Sequence, residues 1–220
     1  MLEIAPEVGS LIQVGLVHAE GLRVRGHDVQ LWVEIERLAS GLRARCAGQA
    51  PAQIEGLRPA RGLYHDIGLD PTKLRPSSEA LLRRVLRGQG LPQINTLVDV
   101  NNFCSLEWLL PIGLHDLDRT QGRLMLRRGR PQEGYEAIGK GWYSVEDRLT
   151  LCDETGPCGT PTSDSQRTMI TLQTPRALMV IYAPASYPAA RLAGHAELAA
   201  QRITRYCGGR VVQTVVLPSV

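Results

Sequence analysis

Apolar positions along the chain change their period near its middle. Leu11 to Val17 (LIQVGLV) is a short apolar run with β-branched residues and predicts a strand. Leu31, Ile35, Leu38 and Leu42 recur at helical spacing and predict a helix over about 29–46. Residues 51–75 carry Pro51, Pro59, Pro71 and several glycines, which predict a broken helix and then a loop through Gly68-Leu69-Asp70-Pro71. A helix is expected from Ser77 or Ser78, either able to cap it, to Gly88, which can end it. Leu81 with Val85 and Leu82 with Leu86 bury one face of that helix and leave Arg83, Arg84 and Arg87 outside. A further helix is expected over 95–108, broken by Pro111 and Gly113. From about 123 to 183 the runs RLMLR, LTLC, MITL and ALMVIY alternate with Gly, Pro, Asp and Ser clusters, the pattern of strands and turns. Leu192, Ala196, Ala199, Ile203 and Tyr206 mark a last helix ending at Gly208-Gly209, and Val211 to Leu217 a closing strand. Helices dominate first and strands later, so the expected class is α+β rather than a βαβ repeat.

Composition narrows the possibilities. The 220 residues are 43% hydrophobic and 21% charged, which excludes a disordered, collagen-like or coiled-coil chain. Nothing divides them into repeats or domains, so one domain over 1–220 is expected. Aromatics are only 5%, so the core must be chiefly aliphatic. A net charge of +3 is too small to argue nucleic-acid binding by itself. Five scattered cysteines with no CxxC are expected to be reduced thiols of a cytoplasmic protein. No signal peptide or membrane-spanning run is evident, so no membrane partner is expected.

The motifs of dinucleotide, P-loop, zincin and α/β-hydrolase sites are absent, and no cofactor is expected. The richest segment is LPQINTLVDVNNFCSLEWLLPIGLHDLD, residues 91–118. On a helix, Asn95, Asp99 and Asn102 stand at i, i+4 and i+7 on one face, opposite Leu97, Val100, Cys104 and Leu106. Two amides and a carboxylate suit specific hydrogen bonding to a ligand, or a helix cap at Asn95 with loop braces at Asp99 and Asn102. His115 follows a Pro-Ile-Gly-Leu break and reads as a loop histidine, able to position water or a hydroxyl, or else simply satisfied by its loop. A metal site from His115, Asp116 and Asp118 is not expected, because such adjacent residues rarely converge on one ion.

Together these residues resemble the B3/B4 domain of the phenylalanyl-tRNA synthetase beta subunit, and more closely the freestanding proteins built from that domain alone. Carrying the likeness are Arg75-Pro76-Ser77, Ile94-Asn95, Val98-Asp99, Asn102, Pro111 and His115-Asp116-Leu117-Asp118. Tyr135-Glu136-Ala137-Ile138-Gly139 and Asp164-Ser165-Gln166-Arg167-Thr168 resemble the freestanding branch. The likeness is strongest over 75–183. It implies an unusual β-sandwich core with flanking helices. It also implies a pocket for the terminal adenosine and amino acid of a mischarged tRNA, where a water attacks the ester. By position, Asn95 and Thr96 fall where that pocket begins and His115 matches its histidine, which gives Asn95 and His115 as catalytic candidates. Asp99 and Asn102 match pocket supports.

Three departures qualify the likeness. Two extra residues separate Pro111 from His115, and Gly159-Thr-Pro-Thr-Ser-Asp-Ser replaces a glycine-rich pocket segment, bringing Ser163 and Asp164 into the expected site. The position of an acidic residue that reads the tyrosine hydroxyl falls near Val180, so an aliphatic or smaller amino acid is the better expectation. Arg83, Arg84 and Arg87 on one helix and Arg123, Arg127, Arg128 and Arg130 around one strand are the candidate contacts for tRNA phosphates, or else solvated faces. The small net charge makes such binding weak and salt-sensitive. The expected activity is deacylation of a mischarged tRNA in trans. The alternatives are a non-catalytic module for RNA or a free amino acid, and a hydrolase of other small esters.

Overall fold

The computed structural model describes residues 2–218. Its centre is β10 (Arg176–Pro184), the ALMVIY run, buried on both faces after its first residue. Leu178, Val180 and Tyr182 point one way, and Ala177, Met179, Ile181 and Ala183 the other. Such a two-sided strand needs cover on each face, and the chain supplies a sheet for one and helices for the other.

β10 pairs antiparallel with β2 (Ile12–Glu20) and β3 (Ile112–Asp116), and β2 with β11 (Arg210–Leu217). The order of this four-stranded sheet is β11-β2-β10-β3. Facing it is a five-stranded sheet, β1-β4-β7-β8-β9, formed by β1 (Leu2–Ile4), β4 (Leu124–Arg128), β7 (Leu149–Asp153), β8 (Gly156–Thr160) and β9 (Ser163–Asp164). Ile12, Val14 and Leu16 meet Leu126, Leu149 and Leu151 between the sheets, where Val8 of α1 (Pro6–Gly9) and Leu63 of α3 (Arg58–Asp66) also pack. The other face of the four-stranded sheet carries α2 (Val29–Arg45), α4 (Ser77–Leu86), α5 (Thr96–Trp108) and α6 (Ala189–Cys207). A hairpin of β5 (Gly134–Ala137) and β6 (Gly141–Ser144) forms its own two-stranded sheet and is tied to β9 by Ile138 N donating to Asp164 O. The fold is α+β with a sandwich core and flanking helices, as the pattern and the resemblance both imply.

Three local readings are corrected, the first being MITL, residues 169–172, which forms no strand. His115 is not in a loop: it lies within β3, wholly buried. Leu109 turns the chain through the left-handed region (φ 56°) at the end of α5, and after Pro111 the residues Ile112 and Leu114 alternate into the helix-side core. Neither serine caps α4; Pro76 holds that position, and the Ser78 hydroxyl donates to Leu109 O. A nine-residue helix, α3, occupies the middle of the stretch read as broken. The three-residue β1, which joins β4 in parallel, has too little sequence to show a period. All five cysteines are buried and unpaired.

Candidate functional site

β3 is an edge strand of one sheet and lies against β9, the edge of the other. Ile112 and Leu114 face the helices, so by alternation Gly113 and His115 face the sandwich. There His115 meets Asp164 from β9, Tyr182 from β10 and Thr168 from the loop before β10. Val180, opposite Gly113 in the ladder, forms part of the apolar floor.

Three buried side-chain atoms in this cluster have no hydrogen-bond partner: His115 Nε2, Asp164 Oδ1 and Tyr182 OH. They converge. A carbon added to Gly113 would stand 3.2 Å from His115 Nε2, 3.2 Å from Tyr182 OH and 3.3 Å from Asp164 Oδ1. His115 Nε2 and Asp164 Oδ1 are 3.7 Å apart. Gly159 on β8 closes the cradle from the other sheet; a carbon there would lie 2.5 Å from His115 Cε1 and 2.9 Å from Asp164 Oδ1. Side chains at 113 and 159 would fill the space, so both glycines are required by close approach.

The hydrogen bonds around His115 fix its tautomer. The Thr168 hydroxyl donates to Cys158 O, so it accepts from His115 Nδ1–H at 3.0 Å. Burial, helped by the positive charge of Arg167, pushes the imidazole down to about 4, so it is neutral near pH 7. Nε2 is then a bare lone pair. Asp164 Oδ2 accepts from Leu114 N, while burial pushes the carboxyl up to about 7, opposed by that bond and by the charge of Lys140. Tyr182 OH is held well above its ordinary value by burial, so it remains a donor. Two acceptors and one donor therefore face one point. Tyr135 lies alongside, its hydroxyl donating to Ser163 O, and Tyr64 OH shares a proton with Thr162 Oγ1 at 2.6 Å. Lys140, carried on the turn of the hairpin, stands over the Tyr143 ring.

The other sequence candidates lie elsewhere. Asn95, Thr96 and Asp99 sit at the start of α5, on the helix side of the four-stranded sheet, and are not brought to His115. Asn95 Oδ1 caps α5 by accepting from Val98 N, while the Thr96 hydroxyl accepts from Arg25 N. The buried Asp99 carboxylate accepts from Trp32 Nε1 at 2.9 Å and from Ile94 N. Asn102 is half-buried on the same helix. Asn95 and His115 therefore do not share one site, and the side chain that faces His115 Nε2 is Asp164, at 3.7 Å. Asn95→Ala is expected to cost about 1 kcal/mol of stability through the lost cap and to leave turnover unchanged, checked by thermal melts beside rate measurements. Asp116 and Asp118 brace loops, accepting from Thr174 Oγ1 and Arg176 Nε respectively.

The arginine clusters divide. Arg83 and Arg61 are spent on Glu79, a buried carboxylate, and Arg127 makes two hydrogen bonds to Glu133 at 2.7 and 2.8 Å. Arg128 donates to two carbonyls, of Ile67 and Asp147. Arg84 and Arg87 are exposed. Sequence reading missed Tyr182, which shares a period-two register with Leu178 and Val180, and Gly113, two residues before His115 on the same face.

Residues 60–214 match the B3/4 domain family, and the chain belongs to that family. It is 29% identical over 159 residues to the phenylalanine–tRNA ligase beta subunit of Carboxydothermus hydrogenoformans, covering 71% of this chain and 19% of that subunit. It is 35% identical over 77 residues to the same subunit of Bartonella quintana, covering 34% of this chain and 10% of the subunit. The matches thus span a tenth to a fifth of those relatives. An N-terminal fragment of the phenylalanyl-tRNA synthetase beta subunit from Pyrococcus horikoshii superimposes with a TM-score of 0.49 at 12% identity, covering all of this chain and 54% of the fragment.

Proposed function

We propose that this chain hydrolyses the aminoacyl ester of a mischarged tRNA in trans. The observation that carries the reading is the convergence of His115 Nε2, Asp164 Oδ1 and Tyr182 OH above Gly113. A water within reach of these three atoms and clear of the Gly113 backbone donates one hydrogen to Nε2 and one to Asp164, and accepts from Tyr182. Its remaining lone pair is free to attack an ester carbonyl. As the carbon–oxygen bond forms, the ionised Asp164 takes the water's proton. The ester bond to the ribose oxygen then breaks, and that oxygen recovers the proton, leaving free amino acid and tRNA. Holding the water and the ester together supplies much of the acceleration without a protein nucleophile. Val180 is apolar where the resemblance puts an acidic residue that reads a tyrosine hydroxyl, which favours an aliphatic or smaller amino acid. Arg84 and Arg87 supply phosphate contacts that weaken steeply with salt.

The test is release of labelled amino acid from a panel of mischarged tRNAs, with correctly charged tRNAs as controls. Selective turnover is expected; no turnover from folded protein across the panel would sink the reading. One observation favours a binding role instead: His115 is wholly buried, so the cradle must open to admit an ester. Calorimetry showing saturable amino-acid or RNA binding without ester release would identify such a non-catalytic module.

A further inference from the structure

β2 pairs with one side of β11, and among the described residues no strand pairs with the other. Proteins usually blunt such an edge with charged side chains, proline, a bulge or a short strand, and here the bulge lies near one end and leaves the stretch from Gln213 to Leu217 regular. β11 instead runs for eight residues, RVVQTVVL, with Arg210 as its one charge. A bulge at Val212 interrupts the ladder near its start, and Val212 is 48% exposed. Beside the edge lies an open groove of about 370 Å³, walled by Ala190 and Ala193 of α6 and by Thr214 and Val216 of β11.

We propose that β11 pairs antiparallel with β11 of a second copy of this chain, about a two-fold axis through Thr214. The strand's own sequence selects both partner and register. A two-fold axis normal to a continuous sheet keeps each side chain on its own face, so it must pass through a residue position rather than between two. Centred on Thr214, the pairs are Thr214 with Thr214, Gln213 with Val215, and Val212 with Val216. Val212 then meets Val216 and Val211 meets Leu217, Gln213 lies opposite Val215, and the central Thr–Thr pair is favourable. The paired stretch is 211–217, which leaves Arg210 and Pro218 at its ends. Centring on Gln213 would set charged Arg210 against Val216 inside the ladder, and centring on Val215 would shorten the ladder to 213–217. In the Thr214 register the two Arg210 side chains lie at opposite ends of the interface. The two four-stranded sheets become one of eight strands. Both copies of α6 lie on the same face, and the small Ala190 and Ala193 side chains permit their approach across the axis.

The full chain is examined by sedimentation equilibrium, as wild type, Thr214→Lys and Thr214→Cys. The wild type is expected to be dimeric. In Thr214→Lys two like charges stand directly opposite, and association is expected to weaken at least about tenfold while the melting temperature of the monomer is kept. In Thr214→Cys the two β-carbons would lie about 4.5–5.5 Å apart, within the span of a short bis-maleimide that links the copies. The five natural cysteines are buried, so they do not compete. A monomeric wild type overturns the proposal, as does a Thr214→Lys chain that associates like the wild type. A dimer that Thr214→Cys fails to link also overturns it, by placing the interface elsewhere.

Discussion

Asp164→Asn is expected to slow release of amino acid from a mischarged tRNA by about 10²–10⁴-fold, the usual range for loss of a general base. The amide can still accept from Leu114 N, so the β3–β9 contact survives. The wild-type rate is expected to rise with pH through about 7, as Asp164 ionises. A stability measurement separates this role from a structural one. The folded carboxyl lies above its ordinary value of 3.8, so between there and about 7 the folded chain holds a proton that the unfolded chain has lost. The contribution of Asp164 to stability is therefore fully present below the unfolded value and is lost as pH rises through about 7. His115 works in the opposite sense. Its folded value of about 4 lies below 6.5, so its contribution is lost as pH falls between those values. Comparing wild type with Asp164→Asn cancels the histidine. At pH 8 the variant should be the more stable by an amount of order a few kcal/mol, with the gap closing near pH 4. A slow variant that is also less stable at pH 8 would mean that Asp164 holds the fold together rather than serving chemistry.

The elements were legible wherever one period ran long enough. α2, α4 and α6 fall where their apolar spacing puts them, because each buries one stripe in the helix-side core. The candidate site was legible only in part. His115 and Asp164 stand out as residue types, but their meeting depends on two edge strands from different sheets, a placement that no local spacing encodes. Asn95 and Asp99 drew attention for a sound reason, since a buried amide and carboxylate need partners. Their partners are the backbone of α5 and the Trp32 indole, which a helical-face argument cannot distinguish from a ligand. Glu79 shows the same ambiguity in reverse. It reads as a surface residue of an arginine-rich helix, yet it is buried and gathers Arg61 and Arg83.

A carboxylate costs free energy to bury without a cation bonded to it, and a histidine is costly to bury with an unpaired ring nitrogen. Tyr182 adds an unpaired hydroxyl at the same place. One such atom is an ordinary defect of packing. Three gathered around one point, against two glycines, make a polar cluster in an otherwise apolar sandwich. The rest of the sandwich is filled by Leu, Val and Ile, so folding alone offers no reason to keep the exception.

Gly113→Ala tests that cluster directly and is expected to abolish turnover while leaving the protein folded. The added methyl would stand 3.2–3.3 Å from His115 Nε2, Tyr182 OH and Asp164 Oδ1, crowding all three and displacing a water that they hold in common. Those distances are tight but touch side-chain atoms, which can yield by a few tenths of an ångström. Setting three polar atoms against a methyl costs about 1–3 kcal/mol. The restricted unfolded chain returns about 0.4–1 kcal/mol. The melting temperature should therefore fall only modestly. Gly159→Ala makes the contrast. Its methyl would meet His115 Cε1 at 2.5 Å, and the imidazole, pinned by Thr168, can withdraw only by breaking that bond. Overpacking there is expected to cost about 1–3 kcal/mol or more and to lose activity through displaced geometry. Rates and melting curves of the two variants, measured side by side, decide the matter. If Gly113→Ala turns over mischarged tRNA at the wild-type rate, the reacting water is not held by His115, Asp164 and Tyr182, and the chemistry must be sought elsewhere on the chain.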